Sequence, residues 1–210
     1  MSDQILKYYK NILLTALFFI LGTTTLSAAN YYWVGGSGNW SDLNHWRTAS
    51  GGSVLPAVVP RLSDDVFFDA NSGFTQGSKT VTVNVQANCH NITFAGAAVP
   101  PTIVSTDVQN SLNIFGSSVL QSGMSYHVLL TNYQHSGEPK TVQSNGVTMG
   151  QDTFGAEVYF NEETSVSLTD DFSAKMTVNV QKGTFNTNNH TITVSETFYL
   201  RSKAVNLGSS

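Results

Sequence analysis

Val166-Ser167-Leu168, Thr177-Val178-Asn179-Val180, Thr191-Ile192-Thr193-Val194 and Val205-Asn206-Leu207 repeat one apolar–polar–apolar pattern through the C-terminal part of the chain. Such alternation gives a strand one buried face and one wet face. The units end at Leu168, Val180, Val194 and Leu207, steps of 12, 14 and 13 residues. A near-constant step between strand–turn units predicts a solenoid, in which each coil buries its inner face against the next. Two steps give about 26 residues, close to one coil of a parallel β-helix. Gly183-Thr184-Phe185-Asn186-Thr187-Asn188-Asn189-His190 fits a coil corner, where Asn and Gly tolerate left-handed backbone and stacked Asn side chains can bond along the axis. The fold expected is all-β, a right-handed parallel β-helix. An antiparallel β-sandwich, which also shows short strands between turns, is the alternative.

The remaining sequence has the same texture. No window after residue 29 holds apolar residues at helical spacing. Short runs such as Val66-Phe67-Phe68, Thr80-Val81-Thr82-Val83-Asn84-Val85, Ile92-Thr93-Phe94, Leu112-Asn113-Ile114, Tyr126-His127-Val128-Leu129-Leu130, Val158-Tyr159-Phe160 and Phe198-Tyr199-Leu200 are separated by Gly, Asn, Asp and Pro.

The first residues read as an export signal. Lys7 and Lys10 precede an apolar run from Ile12 to Leu21, and Gly22 to Ala29 is mostly small, with cleavage expected after Ala29. The apolar run is shorter than the roughly 20 residues a membrane span needs. The mature chain is therefore expected outside the cytoplasm, with no membrane insertion after cleavage.

Composition narrows the function. Charged residues are 11% of the 210, well below the usual quarter, so Thr, Ser, Asn and Gly do the solvating. A net charge of -4 offers no basic stripe for nucleic acid or anionic lipid. The single cysteine, Cys89, has no internal disulfide partner and reads as a small core thiol.

A solenoid needs its first coil covered, because an open end exposes apolar side chains and unpaired backbone groups. Residues 30–75 supply Tyr31, Tyr32, Trp33, Trp40 and Trp46 among turn-forming glycines and are assigned to an N-terminal cap. Residues 76–210 are assigned to coils. The strand–turn ending Val205-Asn206-Leu207-Gly208-Ser209-Ser210 is expected to lead into further coils, so the remainder of a longer chain is the first expected partner.

Candidate chemistry is sparse. Asp64, Asp65, Asp69 and Asn71 are the densest oxygen cluster, and calcium is the cofactor such oxygens would take. The spacing is not an EF-hand loop, and strand alternation sends the side chains to two faces, so turn formation is the role expected. Glu162-Glu163 and Asp170-Asp171 are adjacent pairs, which alternation also separates. His45, His90, His127, His135 and His190 lack metal-site spacing, and His45 is expected to fix a turn in the cap. No nucleophile elbow and no phosphate-binding loop is present. Trp33, Trp40 and Trp46 could stack on sugar rings if their faces were exposed; core packing is the simpler expectation. No catalytic residue is assigned.

Tyr32-Trp33-Val34-Gly35-Gly36-Ser37-Gly38-Asn39-Trp40-Ser41-Asp42-Leu43-Asn44-His45-Trp46, followed by Pro60 and Asp64-Asp65-Val66-Phe67-Phe68-Asp69-Ala70-Asn71-Ser72, resembles the start of very large cell-surface proteins of gliding and related Bacteroidetes-type bacteria. Gly183-Thr184-Phe185-Asn186-Thr187-Asn188 and Leu207-Gly208-Ser209-Ser210 are similar to recurring pieces of the same proteins. The resemblance implies a surface adhesin, gliding adhesins included, at the exterior of the outer membrane. It implies type IX secretion and surface-anchoring machinery as partners, with glycans or abiotic surfaces as adhesive targets. The expectation is a non-enzymatic N-terminal segment of a secreted adhesin or stalk. A carbohydrate-binding module and a polysaccharide-degrading β-helix enzyme are the alternatives.

Overall fold

The computed structural model describes residues 28–134, 136–150, 157–161 and 163–208. The expected export signal lies outside them up to residue 27, as do His135, Glu162, Ser209 and Ser210. No helix among the described residues is long and apolar enough to cross a membrane.

The described chain begins with β1 (Asn30–Trp33), β2 (Gly38–Asn39), a 3-10 turn at Leu43–His45 and β3 (Trp46–Arg47). Coils of three strands follow. The first comprises β4 (Asp65–Phe68), β5 (Thr80–Thr82) and β6 (Ala87–Cys89), and the next β7 (Ile92–Phe94), β8 (Thr102–Val104) and β9 (Leu112–Ile114). Then come β10 (Ser118–Val119), β11 (Ser125–His127) and β12 (Leu130–Tyr133), and β13 (Lys140–Gln143), β14 (Thr148–Met149) and β15 (Glu157–Phe160). The last are β16 (Ser165–Leu168), β17 (Phe172–Ala174) and β18 (Thr177–Val180), then β19 (Thr184–Asn186), β20 (Ile192–Val194) and β21 (Phe198–Leu200), with β22 (Ala204–Asn206) beginning another turn.

Every named strand except β3 pairs with a strand three positions away along the chain, which builds three sheets. Sheet A runs β22-β19-β16-β13-β10-β7-β4-β1-β3, sheet B β2-β5-β8-β11-β14-β17-β20, and sheet C β21-β18-β15-β12-β9-β6. Among the named strands described, only the β1–β3 ladder is antiparallel. Parallel pairing of strands a full turn apart is a β-solenoid, not the hairpin-linked pairing of an antiparallel sandwich. The aromatic first segment is continuous with the stack: β1, β2 and β4 are already layers of sheets A and B.

The coil length differs from the sequence expectation where that expectation is drawn. Val66 pairs with Ile92 and Ile92 with Ser118, coils of 26 residues. Val166, however, pairs with Phe185 and Phe185 with Val205, coils of only 19 and 20 residues. Leu168, Val180 and Val194 belong to β16, β18 and β20, on sheets A, C and B in turn. Each step of the C-terminal pattern therefore passes over one strand. Thr184–Asn186, expected at a corner, is strand β19, and its Phe185 is buried. The corner itself lies just beyond, where Asn188 and Asn189 take φ of 52° and 67°.

The core is a set of columns along the axis. In sheet B, Val81, Ile103, Tyr126, Met149, Ala174 and Val194 stack one above another. In sheet C, Cys89, Ile114, Tyr133, Phe160, Val180 and Leu200 do the same. Phe68 lies flat on Phe94 with centroids 4.2 Å apart, and Tyr133 on Phe160 at 4.9 Å, near the spacing of paired strands. Buried hydroxyls answer one another inside: Ser118 Oγ and Tyr133 OH are 2.6 Å apart, Tyr126 OH and Thr131 Oγ1 2.7 Å. Polar ladders run on the sheet faces turned away from the core, with Asn113 itself buried. Asn113 Nδ2 donates to Asn88 Oδ1 and Asn132 Nδ2 to Asn113 Oδ1, and Asn206 Nδ2 donates to Asn186 Oδ1.

Burial fades only at the last coil. Val194 and Phe198 are half-buried, and Leu200 is 49% exposed, although its column mates Phe160 and Val180 are sealed. Phe160→Ala is expected to lower the unfolding free energy by about 3–5 kcal/mol, the cost of emptying a packed aromatic site. Phe198→Ala should cost less than half as much. Urea denaturation of both variants checks the gradient.

Candidate functional site

The N-terminal end is closed by aromatic rings. Trp33, Trp40, Trp46 and Phe68 are all fully buried. Trp46 stands edge-on to Trp33 and to Trp40, with centroids 5.0 Å away in each case, and edge-on to Phe68 at 5.9 Å. Trp33 Nε1 donates to Gly36 O at 2.7 Å and Trp46 Nε1 to Trp40 O at 2.9 Å. His45 lies flat over Trp33 at 4.6 Å, its Nδ1 2.7 Å from Val34 O. This is the turn-fixing role expected for it. Gly38 is required beneath that ring, since a Cβ there would fall on His45 Nε2. β3 pairs along the outer side of β1, so the first edge of sheet A is closed too. The sugar-stacking expectation for Trp33, Trp40 and Trp46 is corrected here. No indole presents a free face, because all three fill the end of the core.

The oxygen cluster is dispersed by its own hydrogen bonds. Asp64 is buried and accepts from Ala29 N and Arg61 N, tying the segment before β1 to the one before β4. Asp65 Oδ1 accepts from His90 Nδ1, Asn91 N and Asn91 Nδ2 on the next coil. Asp69 accepts from Ser50 Oγ and from Asn71 N, while Asn71 Nδ2 donates to Ser50 Oγ. The four residues thus hold three different junctions. No group of three or more acidic, His or Cys residues able to hold a metal occurs among the described residues.

The acidic pairs bind neighbouring coils. Asp170 accepts from Ser144 N and Asn145 N below it, whereas Asp171 Oδ1 accepts from Thr191 N above it. Glu163 reaches Lys182 on the next coil at 3.3 Å, across an exposed surface. Asp65, Asn91 and Ser117 form a corner ladder: Ser117 N donates to Asn91 Oδ1, and Thr141 N to Ser117 Oγ. His90 pairs with Asp65 at 3.0 Å and His190 with Asp171 at 3.7 Å, on widely separated coils.

Of the buried titratable groups, Cys89 is the core thiol expected from the sequence, whereas Lys140 escapes such a reading. Cys89 is sealed in the core, and burial pushes its thiol well above the ordinary range. Burial does the same to the Tyr126 and Tyr133 hydroxyls. Lys140 is buried, with Nζ donating to Ser136 Oγ at 2.8 Å. It pairs with Val166 in sheet A, in a column that continues through Phe185 and Val205. Desolvation lowers its pKa from 10.5 to about 8, against a smaller opposing pull from Glu138.

Two mainly apolar concave surfaces lie among the described residues. The larger, about 840 Å3, lies at the C-terminal end and is lined by Ile192, Val194, Phe198 and Leu207 with Thr187 and His190. The smaller, about 510 Å3, lies between the 58–62 segment of the cap and β6, with Trp40 and Val85 in its wall. Comparison with family models, with curated proteins and with solved structures gives no match.

The Lys140 environment sets a pH dependence. Between about 8 and 10.5 the unfolded chain binds the more protons, so stability from this group rises with pH through that window. Below about 8 the full cost of burying the ammonium applies. Lys140→Met should therefore be the more stable chain at neutral pH. Its advantage should shrink as pH climbs toward 10.5. Taking the difference between the two chains removes the opposite trend from Cys89, Tyr126 and Tyr133, whose unfolded forms ionise first. Chemical denaturation at a series of pH values measures it.

Proposed function

We infer that this chain is the capped N-terminal portion of a secreted cell-surface adhesin or stalk, in which it acts as a non-enzymatic, stiff spacer. The observation that carries the reading is a run of parallel coils behind a sealed end. One end is sealed by tryptophans and by β3, while the other presents three strand edges, β20, β21 and β22, around half-exposed apolar side chains. In this reading the sealed end is the cap and the coils behind it are the spacer, joined along the axis by ladders such as Asn206 to Asn186.

Stiffness follows from the bonding. Every coil is held to the next by parallel ladders on three sides, by stacked side chains within, and by Asn, Asp and Ser bridges outside. Sideways bending must lengthen many of these bonds together. Polar uncharged side chains dominate the outer face, as suits a surface that must stay soluble without a strong field. The resemblance of the aromatic segment to gliding-bacterial surface proteins supports display at the outer membrane, export by type IX secretion and a part in adhesion or gliding.

Deleting residues 30–208 from the gene is expected to reduce surface display of the product and attachment of cells to glass under flow. Unchanged display, attachment and gliding after deletion would contradict the reading. Turnover of acidic or neutral glycans by the purified chain would replace it with an enzymatic one.

A further inference from the structure

Sheet C lacks a layer. The first turn gives β1 to sheet A and β2 to sheet B, but sheet C begins only with β6. Ala87 N donates to Ser111 O, and Phe115 N donates to Cys89 O, both at 2.9 Å, so Ala87 and Cys89 spend their backbone groups on β9. Backbone groups of successive strand residues point to opposite sides. The N–H and C=O of Asn88 therefore face the cap, where no strand lies among the described residues.

The segment opposite runs through Val58, Val59, Pro60, Arg61 and Leu62 without forming a strand. Pro60 has no N–H to give a ladder. The segment stands off from β6 and leaves the cleft of about 510 Å3. That volume is typical of ligand sites. Its walls are apolar at Val58, Val59, Leu62 and Val85, with Trp40 behind them. Among the described residues Trp40 Nε1 is buried without an acceptor, whereas the other two indoles are both bonded. Arg61 is exposed on the cleft and makes no ion pair among the described residues. Leu62 is 54% exposed beside it.

We propose that this cleft binds an extended peptide segment of a partner protein, which adds to the edge of β6 as the missing first layer of sheet C. The main chain of the peptide pairs with Asn88, as in other cases of strand addition. One β-branched side chain enters between Val59 and Val85, and a carboxylate of the peptide meets Arg61. A sugar is the weaker match, since the indole faces it would stack on are buried.

The test uses the 15N-labelled chain and a capped synthetic pentapeptide of alternating threonine and valine that ends in a free aspartate. Saturable shifts are expected at the Asn88 amide and the Trp40 indole N–H, with the Trp33 and Trp46 indole signals unmoved. Arg61→Glu should weaken binding roughly tenfold. Asn88→Pro, which removes the donor facing the cleft and spares the ladder to β9, should abolish binding. Asn88→Ala, which keeps that donor, should retain it. No shift at millimolar peptide, shifts spread over sites away from the cleft, or equal binding by the wild type and Arg61→Glu would each overturn the proposal. The Arg61→Glu arm decides the matter even if Asn88→Pro fails to fold.

Discussion

A stack of parallel coils is limited by its ends. Within the stack each strand satisfies both edges and both faces, so any interior coil resembles the next energetically. At a terminus one edge of every sheet and one layer of apolar side chains lose their partners together. The tryptophan cluster meets that constraint at the N-terminal end. Trp33, Trp40 and Trp46 fill the space that a preceding coil would occupy, and β3 turns back to pair with β1. His45 then lies over Trp33, and Gly38 leaves room for its ring. The sealing depends on ring area more than on hydrogen bonds, because only Trp33 and Trp46 have acceptors for their indoles.

The outside of the stack solves a related problem by side-chain chemistry. A coil joined to its neighbours only by backbone ladders could slip in register. Asp65, Asn91 and Ser117 stand at successive corners, and each accepts from the coil above. Asp170 and Asp171 bind in opposite directions along the axis. These contacts account for the polar, weakly charged surface, since a short Asn, Asp or Ser reaches the next layer where a long charged chain would not hold a fixed geometry. They also give the carboxylates a structural use, which explains why the one dense acidic stretch does not converge on a single point.

The solenoid is legible in the sequence because strands such as Thr177–Val180 alternate cleanly between β-branched and polar residues. Its coil length is not, because the eye joins the strongest strands and passes over weak ones. Phe172-Ser173-Ala174 has little β-branched character, and Thr184-Phe185-Asn186 carries one apolar residue among turn formers. Both are made strands by pairing with the coils beside them. Ser118-Val119 is a strand for the same reason. The aromatic seal was visible as composition, and the burial of its rings follows from their size. The cleft beside β6 has no sequence signature, because it arises from a strand that is missing. Lys140 likewise reads as a surface lysine, and only the register that sets it beside Val166 reveals it as buried.

Hydrogen exchange read coil by coil is the most direct test of a stack sealed at one end. The account predicts that amides of β1 and β4 are as protected as those of β12 and β15, with protection falling at β20, β21 and β22. It further predicts that Trp46→Ala lowers protection first in β1 and β4. Fast exchange throughout β1 and β4 in the unaltered chain, or a Trp46→Ala pattern identical to it, would contradict the claim that the indoles close the core.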